Sequence, residues 1–378
     1  MDSTLEILGI TQEKRLFIYR LVAGILNLGN IEFISIDSNQ CRVTDCSEET
    51  MGNAAELLSI ETKDLEKSLT NRYIDVMGSY ISIRWDQEDA ANLRNSLAKH
   101  IYEALFKWIV VEINKVNTFS SSHSFIGIMD IAGFECLEDQ PNTFDQLCIN
   151  YTNEIFQQFF VQRMIIVEKQ YYEGLDIPSV PFFDNNEIIE VFDHKLIGIF
   201  SLLDDECAMR KPSIDNLTMK IRSNGMNCLE KSTKNRKVTT DFGFIIRHFT
   251  GDIVYSTVDF ISKNIRAAPN DILKLTDTAL MPLTGSQITE PSRNKVKSVC
   301  RGMKAELERI MDILKQTRSQ FIRCIKPNNQ MAQRKFDADI ILHQLRSSGT
   351  ISYVQFMKIG FPVSLDIDRL DELYAPYQ

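Results

Sequence analysis

A carboxylate and a glycine follow an apolar run near the middle of this sequence. The run Phe125–Met129 predicts a buried strand, Asp130 comes directly after it, and Gly133 lies three residues further on. In a parallel α/β sheet, ligands bind beyond the carboxyl ends of strands, where a carboxylate can hold Mg²⁺ directly or through water. A glycine there lets a backbone N–H approach a phosphate. The pattern is compatible with a nucleotide site, although an aspartate after a strand is more often a cap or turn residue.

A thiol and an imidazole form a second pair of groups that could do chemistry. Nothing in the sequence orients Cys324 toward His343, so a cysteine nucleophile with a histidine base is disfavoured. The eight cysteines contain no C-x-x-C pair, which predicts free thiols in a reducing compartment. For His100 and His248 we expect structural roles rather than metal ligation.

Two elements would position Asp130: the strand before it and a long helix after it. The helix is expected to begin at Asn142 as its cap, with Asp145 in the first turn, where a negative charge is favourable. Its apolar residues recur at spacings of three and four, which indicates one buried face. That face contains Phe144, Leu147, Cys148, Tyr151, Ile155 and Phe159.

Apolar periodicity predicts three further helices and one further strand. The helices span Met1 to about Phe33, Gln87 to Val116 and Lys304 to Thr317, and the strand lies in "FIRCIKPN", before Pro327. The expected apolar face of the first helix consists of Leu16, Tyr19, Leu21, Ile25 and Leu28.

Length and composition describe a globular protein. The 378 residues are enough for two or three subdomains, with 44% hydrophobic and 25% charged residues. The net charge of −9 argues against wholesale nucleic-acid binding, which requires a basic surface. The most apolar stretch, Leu16–Ile36, carries charged and amide side chains, so no transmembrane segment is expected. We therefore expect a cytoplasmic protein.

Several motifs, taken together, resemble the myosin motor domain. "DIAGFE" followed by "NTFDQLCINYTNEIFQQFF" is similar to the family's switch II and relay helix. "LVAGILNLGNIEF", "LAKHIYEALFKWIV", "LLDDEC", "HFTGDIVY", "FIRCIKPN", "HQLRSSG" and "GFPV" resemble further landmarks in the family's order. The resemblance implies part of an α/β, myosin-type P-loop NTPase motor fold, with a mixed central sheet surrounded by long helices.

The same resemblance implies ATP and Mg²⁺ as cofactors of the intact motor. Asp130 would contact the Mg²⁺ shell, Gly133 the γ-phosphate, and Glu135 an arginine of switch I. The chain contains no G-x-x-x-x-G-K-[ST] motif, and in the family both this P-loop and switch I lie upstream of the segment that Met1 resembles. We therefore expect Met1 to be a truncation point and the isolated chain to be inactive as an ATPase.

Four ranges follow from the resemblance. Residues 1–124 would belong to the upper actin-binding subdomain, and residues 125–300 would hold switch II, the relay helix and the lower actin-binding subdomain. Residues 301–364 would hold a central-sheet strand and the reactive-thiol helix region, and residues 365–378 the start of the converter. Light chains would bind only through segments downstream of this sequence.

The actin filament is the implied partner, at the actin cytoskeleton. Within the segment "LERIMDILKQTRSQFIRCIKPNN", Leu307–Asn329, and the basic loop that precedes it, the candidate contacts are Leu307, Lys315, Phe321, Arg323, Lys326, Asn328, Arg293, Lys295 and Lys297. We also expect Phe321, Ile322 and Ile325 to be core strand residues. Ser79 lies in a hairpin-like turn, sixteen residues before Asn95, at the family's acidic or phosphorylatable position.

Some positions depart from the family pattern, which favours a divergent, unconventional class. Ile177 stands where the relay loop has tryptophan, Asp259 replaces a glycine and Arg266 an aspartate, and Ser347 and Met357 replace the thiol-helix cysteines. Two alternatives to a motor remain open: an actin-binding module or pseudo-motor without ATP turnover, and a scaffold that retains only the fold.

Overall fold

The chain folds into two compact units, each with its own core. The computed structural model describes residues 2–37, 40–76, 79–116, 124–137, 140–167, 170, 184–209, 211–231, 242–265, 270–284, 298–359, 365 and 367–377. Unit 1 consists of residues 1–129 and 266–297, and unit 2 of residues 130–265 and 298–378. The actin-binding and converter roles attached to the four predicted ranges remain predictions.

Unit 1 is built from helices with two β-hairpins. Its helices are α1 Asp2–Ile7, α2 Gln12–Gly29, α3 Glu48–Leu57, α4 Thr62–Thr70, α5 Gln87–Val116 and α11 Asn270–Thr284. Its strands are β1 Phe33–Asp37, β2 Gln40–Val43, β3 Asn71–Val76 and β4 Ser79–Arg84. The α11 helix packs against α2, α4 and α5, and their apolar faces form one continuous core.

The long α5 helix has the predicted bounds, whereas the first predicted helix is divided in two. Gly9 has a positive φ of 74°, which a glycine adopts without steric cost, and the Thr11 side chain then accepts a hydrogen bond from the Lys14 N–H at the start of α2. Leu21 and Leu28 are buried as predicted, but Leu16 is 62% exposed. The apolar face of α2 is therefore rotated away from Leu16.

The segment around Ser79 is a β-hairpin, as the sequence indicated. Strands β3 and β4 pair antiparallel, from Asn71 opposite Arg84 to Val76 opposite Ser79. The two residues between the strands lie outside the described part of the chain. This register places Ser79 at the first position of β4, opposite Val76.

Unit 2 packs helices around a three-stranded antiparallel sheet. Its helices are α6 Phe144–Val161, α7 Asn186–Asp193, α8 Ile199–Cys207, α9 Ile214–Arg222, α10 Phe260–Asn264, α12 Val299–Gln316, α13 Ala338–Ser347, α14 Thr350–Ile359 and α15 Ile367–Tyr374. Its strands are β5 Leu229–Lys231, β6 Gly243–His248 and β7 Gly251–Ser256, in the order β5-β6-β7. The core lies between this sheet and helices α6 to α10 and α12.

The predicted face of α6 is buried, but the predicted cap is wrong. The cap is Thr143, whose main-chain N–H and hydroxyl both donate to the Gln146 side chain, at 3.0 and 2.9 Å. Asn142 instead lies beside β7, and its main chain forms hydrogen bonds with Val254 and Ser256 of that strand. The α6 helix runs into a π-helical turn at Gln162–Ile166.

Charges at the start of α6 explain one of the departures noted above. The Asp259 carboxylate accepts the Phe144 N–H at 3.3 Å, and Lys263 contacts both Asp145 and Asp259, at 2.5 and 2.7 Å. Negative charge at a helix N-terminus is favourable. An aspartate at position 259 therefore stabilises the helix start, which a glycine side chain cannot do.

Two predicted strands do not form in the described residues. Phe125–Met129 has neither helical nor strand hydrogen bonding, and Ile126 and Ile128 are 96% and 94% exposed. The segment that contains Ile322 and Ile325 is also irregular, with Ile322 87% exposed. An apolar run becomes a strand only when neighbouring strands satisfy its backbone, and the described residues offer neither segment a partner. The expectation that Ile322 and Ile325 are core strand residues is wrong.

Candidate functional site

The segment that carries the predicted phosphate-sensing residues lies along α6. Asn153 donates to the Ala132 carbonyl at 3.0 Å, and the Asn150 side chain forms two hydrogen bonds of 2.8 Å with the main chain of Glu135. Near the start of the helix, the Asn142 side chain accepts the Leu137 N–H at 2.8 Å. Asn150 and Asn153 lie three positions apart on α6, and Asn142 lies just before the helix, so these three side chains fix the path of residues 132–137.

The Glu135 carboxylate is also held by this helix. Gln146 donates to Glu135 Oε2 at 3.1 Å, and the orientation of the Gln146 amide is fixed because its oxygen accepts from Thr143. The arginine expected as a partner of Glu135 belongs to a family segment that this sequence does not match. In the described part of the chain, Gln146 is the side chain recorded on this carboxylate.

Asp130 and Gly133 face open space. The Asp130 side chain is exposed, and a Cβ added at Gly133 would meet no atom within 4 Å. The open space at these two residues leaves room for the phosphate end of a magnesium nucleotide. Asp130 would hold the ion, directly or through water, and the chain around Gly133 would bind phosphate oxygen. Among the described residues, no group of three or more His, Cys, Asp or Glu side chains could hold a metal by itself.

Phe134 anchors the segment in the core of unit 2. Its ring packs edge-on against His248, with ring centroids 4.9 Å apart, and against Phe249 at 5.5 Å. His248 is itself buried, in agreement with the structural role predicted for it. The segment is therefore fixed on both sides of Gly133 by main-chain bonds to α6 and by one aromatic side chain.

A buried chain of polar side chains lies behind Asn150, and the sequence analysis missed it. Asn150 donates to the Tyr255 hydroxyl at 2.8 Å, Tyr255 bonds to His248 Nε2 at 2.8 Å, and His248 Nδ1 bonds to Glu154 Oε1 at 2.8 Å. Asn185 donates to Glu154 Oε2 at 2.6 Å. Burial raises the pKa of Tyr255 well above its usual value. The available signal was a pair of polar residues, four positions apart, on the inner side of α6.

The predicted actin contacts in residues 307–328 divide into buried and exposed positions. Leu307 and Asn328 are 6% and 4% exposed, so neither side chain can form a contact surface. Asn328 instead organises its own loop through hydrogen bonds to the main chain of residues 330, 332 and 335. Lys315 and Lys326 are exposed.

Two other residues of this group pack against the C-terminal part of α6. The Phe321 ring lies 5.1 Å from that of Phe160, and the Arg323 guanidinium stacks over the Phe160 ring at 4.6 Å. Arg323 also donates to Gln157 at 3.3 Å. These contacts indicate that Phe321 and Arg323 stabilise the packing of their segment against α6.

Arg293, Lys295 and Lys297 lie outside the described residues, and so does Ile177. Ser79 is described only by its place in the hairpin. Eight free cysteines, three of them exposed, agree with the prediction of free thiols. No helix in the described ranges is long and apolar enough to span a membrane.

Helices α7 and α8 form a helix–turn–helix with an apolar tip. Leu196 is 76% exposed and Ile197 40% exposed. The turn is tight, because a Cβ at Gly198 would lie 2.5 Å from the main-chain nitrogen of His194. Beside the tip lies an open cavity of about 640 Å³ that is lined by Ile189, Glu190, Asp193, His194, Lys195 and Leu196. Leu196 and Ile197 are thus two adjacent exposed apolar residues at the end of a tight turn.

Comparison with known proteins gives one consistent result. Residues 1–377 match the family described as Myosin head (motor domain). The chain is 36% identical to Myosin heavy chain 95F of Drosophila melanogaster over 100% of its own length and 32% of that protein. It is 34% identical to human Unconventional myosin-VI, over 100% of the chain and 31% of that protein, and 33% identical to Myosin-16 of Arabidopsis thaliana, over 95% and 29%. The chain thus spans about a third of the length of these relatives.

Proposed function

Because this chain belongs to the myosin motor-domain family, we propose that it is the part of an actin-based, ATP-driven motor that carries switch II, the relay helix and an actin-binding surface. The observation that supports this most directly is the set of hydrogen bonds from Gln146, Asn150 and Asn153 of α6 to residues 132–135. A phosphate-sensing segment needs a rigid element to which it can report, and three side chains of α6 bond to this segment. The proposed location is the actin cytoskeleton in the cytoplasm.

In this proposal, Asp130, Gly133 and Glu135 act on the phosphate end of ATP–Mg²⁺. When bound, the magnesium nucleotide supplies the negative charge and the transferable phosphoryl group. Asp130 would contact the Mg²⁺ shell, the Gly133 main chain would bind the γ-phosphate, and Glu135 would pair with a switch I arginine to close the site around the attacking water. Catalysis of phosphoryl transfer depends on such positioning and electrostatic stabilisation.

The α6 helix then acts as the relay. A shift of residues 132–137 toward a phosphate would stretch the hydrogen bonds from Asn150 and Asn153. A hydrogen bond weakens when it is stretched by more than a few tenths of an ångström, so the helix would have to follow. The apolar side of the same helix is packed into the core of unit 2. Movement of the segment would therefore be transmitted along the helix rather than absorbed locally.

The proposed actin surface combines an apolar tip with basic residues. Leu196 and Ile197 would supply the apolar contact, and Lys195 beside them the positive charge. Lys315 and Lys326, which are also exposed, are proposed as separate basic contacts. Basic residues at the rim of an interface mainly raise the rate of encounter with an acidic partner and make binding sensitive to salt. Ser79, in the hairpin of unit 1, is proposed as a regulatory position on a second contact surface.

Co-sedimentation with filamentous actin tests the proposed surface. The chain should pellet with filaments, and less so as salt rises. Leu196→Ser should weaken binding about tenfold, because truncation of a central apolar contact costs 1–2 kcal/mol or more. Met219→Ser is the matched control, since Met219 is 62% exposed on α9 of the same unit. Equal binding by both variants would remove the tip from the proposal, and absence of any binding would contradict the actin surface as a whole.

A further inference from the structure

Behind Asn150 lie three buried side chains, Tyr255, His248 and Glu154, that have no part in the function proposed above. All four side chains are almost completely removed from solvent, with Asn150, Glu154 and Tyr255 at 0% exposure and His248 at 5%. We propose that Tyr255 and His248 are positioning residues, which act through Asn150 to set the main-chain position of Glu135. The inference rests on the proposed switch II function only for its consequence in the motor, not for the geometry itself.

The donor and the acceptor of each hydrogen bond in this chain can be assigned by starting from the Glu135 N–H. The Glu135 N–H can only donate, so the Asn150 atom that faces it is the amide oxygen, and the Asn150 nitrogen must face the Glu135 carbonyl and the Tyr255 oxygen. The Tyr255 hydroxyl thus accepts from Asn150, and its own proton is left to donate to His248 Nε2. His248 then carries its proton on Nδ1 and donates to Glu154.

With these donors and acceptors, each side chain of the chain has only one orientation that satisfies all of its hydrogen bonds. If the Asn150 amide turned over, its oxygen would face the Glu135 carbonyl and its nitrogen the Glu135 N–H, which are two repulsive contacts. If Tyr255 lost its hydroxyl, the Asn150 nitrogen would retain only the Glu135 carbonyl. Because no water replaces a lost partner in a fully buried site, each break leaves an unpaired polar group.

The chain connects the segment to the sheet as well as to α6. Tyr255 lies on β7 and His248 at the end of β6, and the Tyr255 ring stacks on Phe244 at 5.6 Å between centroids. Asn150 therefore does not depend on the rotamer preferences of α6 alone. The Tyr255 hydroxyl, which the sheet holds in place, orients the Asn150 amide. This amide in turn sets the position of the Glu135 main chain.

Amide hydrogen exchange on the complete chain tests this inference. Tyr255→Phe keeps the ring and removes the hydroxyl, and we expect the Glu135 amide to exchange about fivefold faster, in line with the loss of one hydrogen bond. His248→Gln is the conservative variant, because an amide offers one acceptor for Tyr255 and one donor for Glu154, and we expect exchange within about twofold of the parent chain. His248→Leu, which offers neither, should resemble Tyr255→Phe.

Tyr151→Phe is the matched control. Tyr151 is a buried tyrosine on the same helix, and its hydroxyl bonds to Asp193 at 3.3 Å rather than to the segment. It should leave exchange at Glu135 unchanged. Equal acceleration by Tyr151→Phe and Tyr255→Phe, or none by Tyr255→Phe, would overturn the inference. If Tyr255→Phe does not fold, the contrast between His248→Gln and His248→Leu decides, and equal exchange in that pair overturns it.

A separate measurement distinguishes this inference from the proposed function. Nucleotide-dependent exchange in residues 130–137 is followed in a complete motor head that contains Tyr255→Phe. Altered exchange at Glu135 without any response to nucleotide in the parent head would leave the positioning chain intact and contradict the switch II role. A normal nucleotide response in the parent head, with unaltered exchange in the variant, would support the switch II role and contradict the positioning chain.

Discussion

The side-chain amide of Asn150 binds both main-chain groups of Glu135. Its Oδ1 accepts the Glu135 N–H at 2.8 Å, and its Nδ2 donates to the Glu135 carbonyl at 2.8 Å. The amide thus takes the place of a neighbouring strand for one residue, in a segment that has no strand partner among the described residues. The path of this segment depends on a helix side chain, which makes it sensitive to substitution at one position.

Asn150→Ala should therefore lower the free energy of unfolding by about 2–4 kcal/mol, because it leaves the Glu135 main chain and the Tyr255 hydroxyl with unpaired groups in a buried site. Urea unfolding measures this as a lower midpoint. Asn153→Ala is the control on the same helix: it removes the bond to the Ala132 carbonyl at a partly exposed position and should cost only about 0.5–1 kcal/mol. A similar loss in both variants would mean that the Asn150 amide is not the stronger attachment.

Two glycines of unit 2 should respond in opposite ways to alanine. Gly133→Ala should leave thermal stability unchanged within about 0.5 kcal/mol, because the new Cβ meets no atom within 4 Å. Gly198→Ala should destabilise by about 2–4 kcal/mol, since its Cβ would lie 2.5–2.7 Å from main-chain atoms of Phe192 and His194. Thermal melts of the two variants check both values. A large loss in Gly133→Ala would show a packed, structural glycine rather than one kept free for a phosphate.

The chain alone should not hydrolyse ATP at a rate typical of a motor. Asp130 and Gly133 would provide only two contacts to a magnesium nucleotide, which cannot replace the phosphate cradle of a P-loop. Phosphate release is measured with Mg²⁺, with and without actin filaments. Turnover that depends on Mg²⁺, rises with actin and disappears in Gly133→Ala would contradict this prediction.

The exposed apolar run should promote aggregation. Ile126 and Ile128 are almost fully exposed in a segment of high β-propensity, which is a template for pairing with other chains. Replacement of both by asparagine should reduce light scattering several-fold at equal concentration without a loss of stability. Leu26→Asn, at an exposed leucine of the helix α2, is the control and should have little effect. A parent chain that is monomeric, melts sharply and binds no apolar dye would speak against the prediction.

The sequence predicted helices better than strands, for a physical reason. The face of α6 and the bounds of α5 follow from periodicity along one segment, which needs no distant partner. A strand is stabilised by its neighbours, so the apolar run before Asp130 carried no information about whether a partner would be present. Local signals were also insufficient for the cap of α6, where Thr143 with Gln146 prevailed over Asn142.

In the candidate site, too, the residues of one contiguous segment could be predicted from the sequence, whereas partners distant in the sequence could not. Asp130, Gly133 and Glu135 were identified from a contiguous motif, and the structure brings them onto one segment. The side chains that hold this segment come from α6, β6 and β7, and their meeting is a tertiary event. Tyr255 and His248 are seven residues apart on neighbouring strands, and Glu154 is far from both along the chain. Only the fold shows that they form one hydrogen-bonded chain.

Ser79 should control coupling to actin and not the chemistry of the nucleotide. It is the first residue of β4 and pairs with Val76, the last residue of β3. Phosphorylation adds about −1.5 to −2 charge at neutral pH, which would strengthen contact with basic groups of the filament. In a complete motor, Ser79→Glu should therefore raise actin-activated ATP turnover several-fold relative to Ser79→Ala, with equal basal turnover. Ser82→Glu, on the same strand, is the control for charge alone and should not reproduce the effect. Equal activation by actin in Ser79→Glu and Ser79→Ala would end the proposal, and a change in basal turnover would move the role of this position from the filament to the nucleotide site.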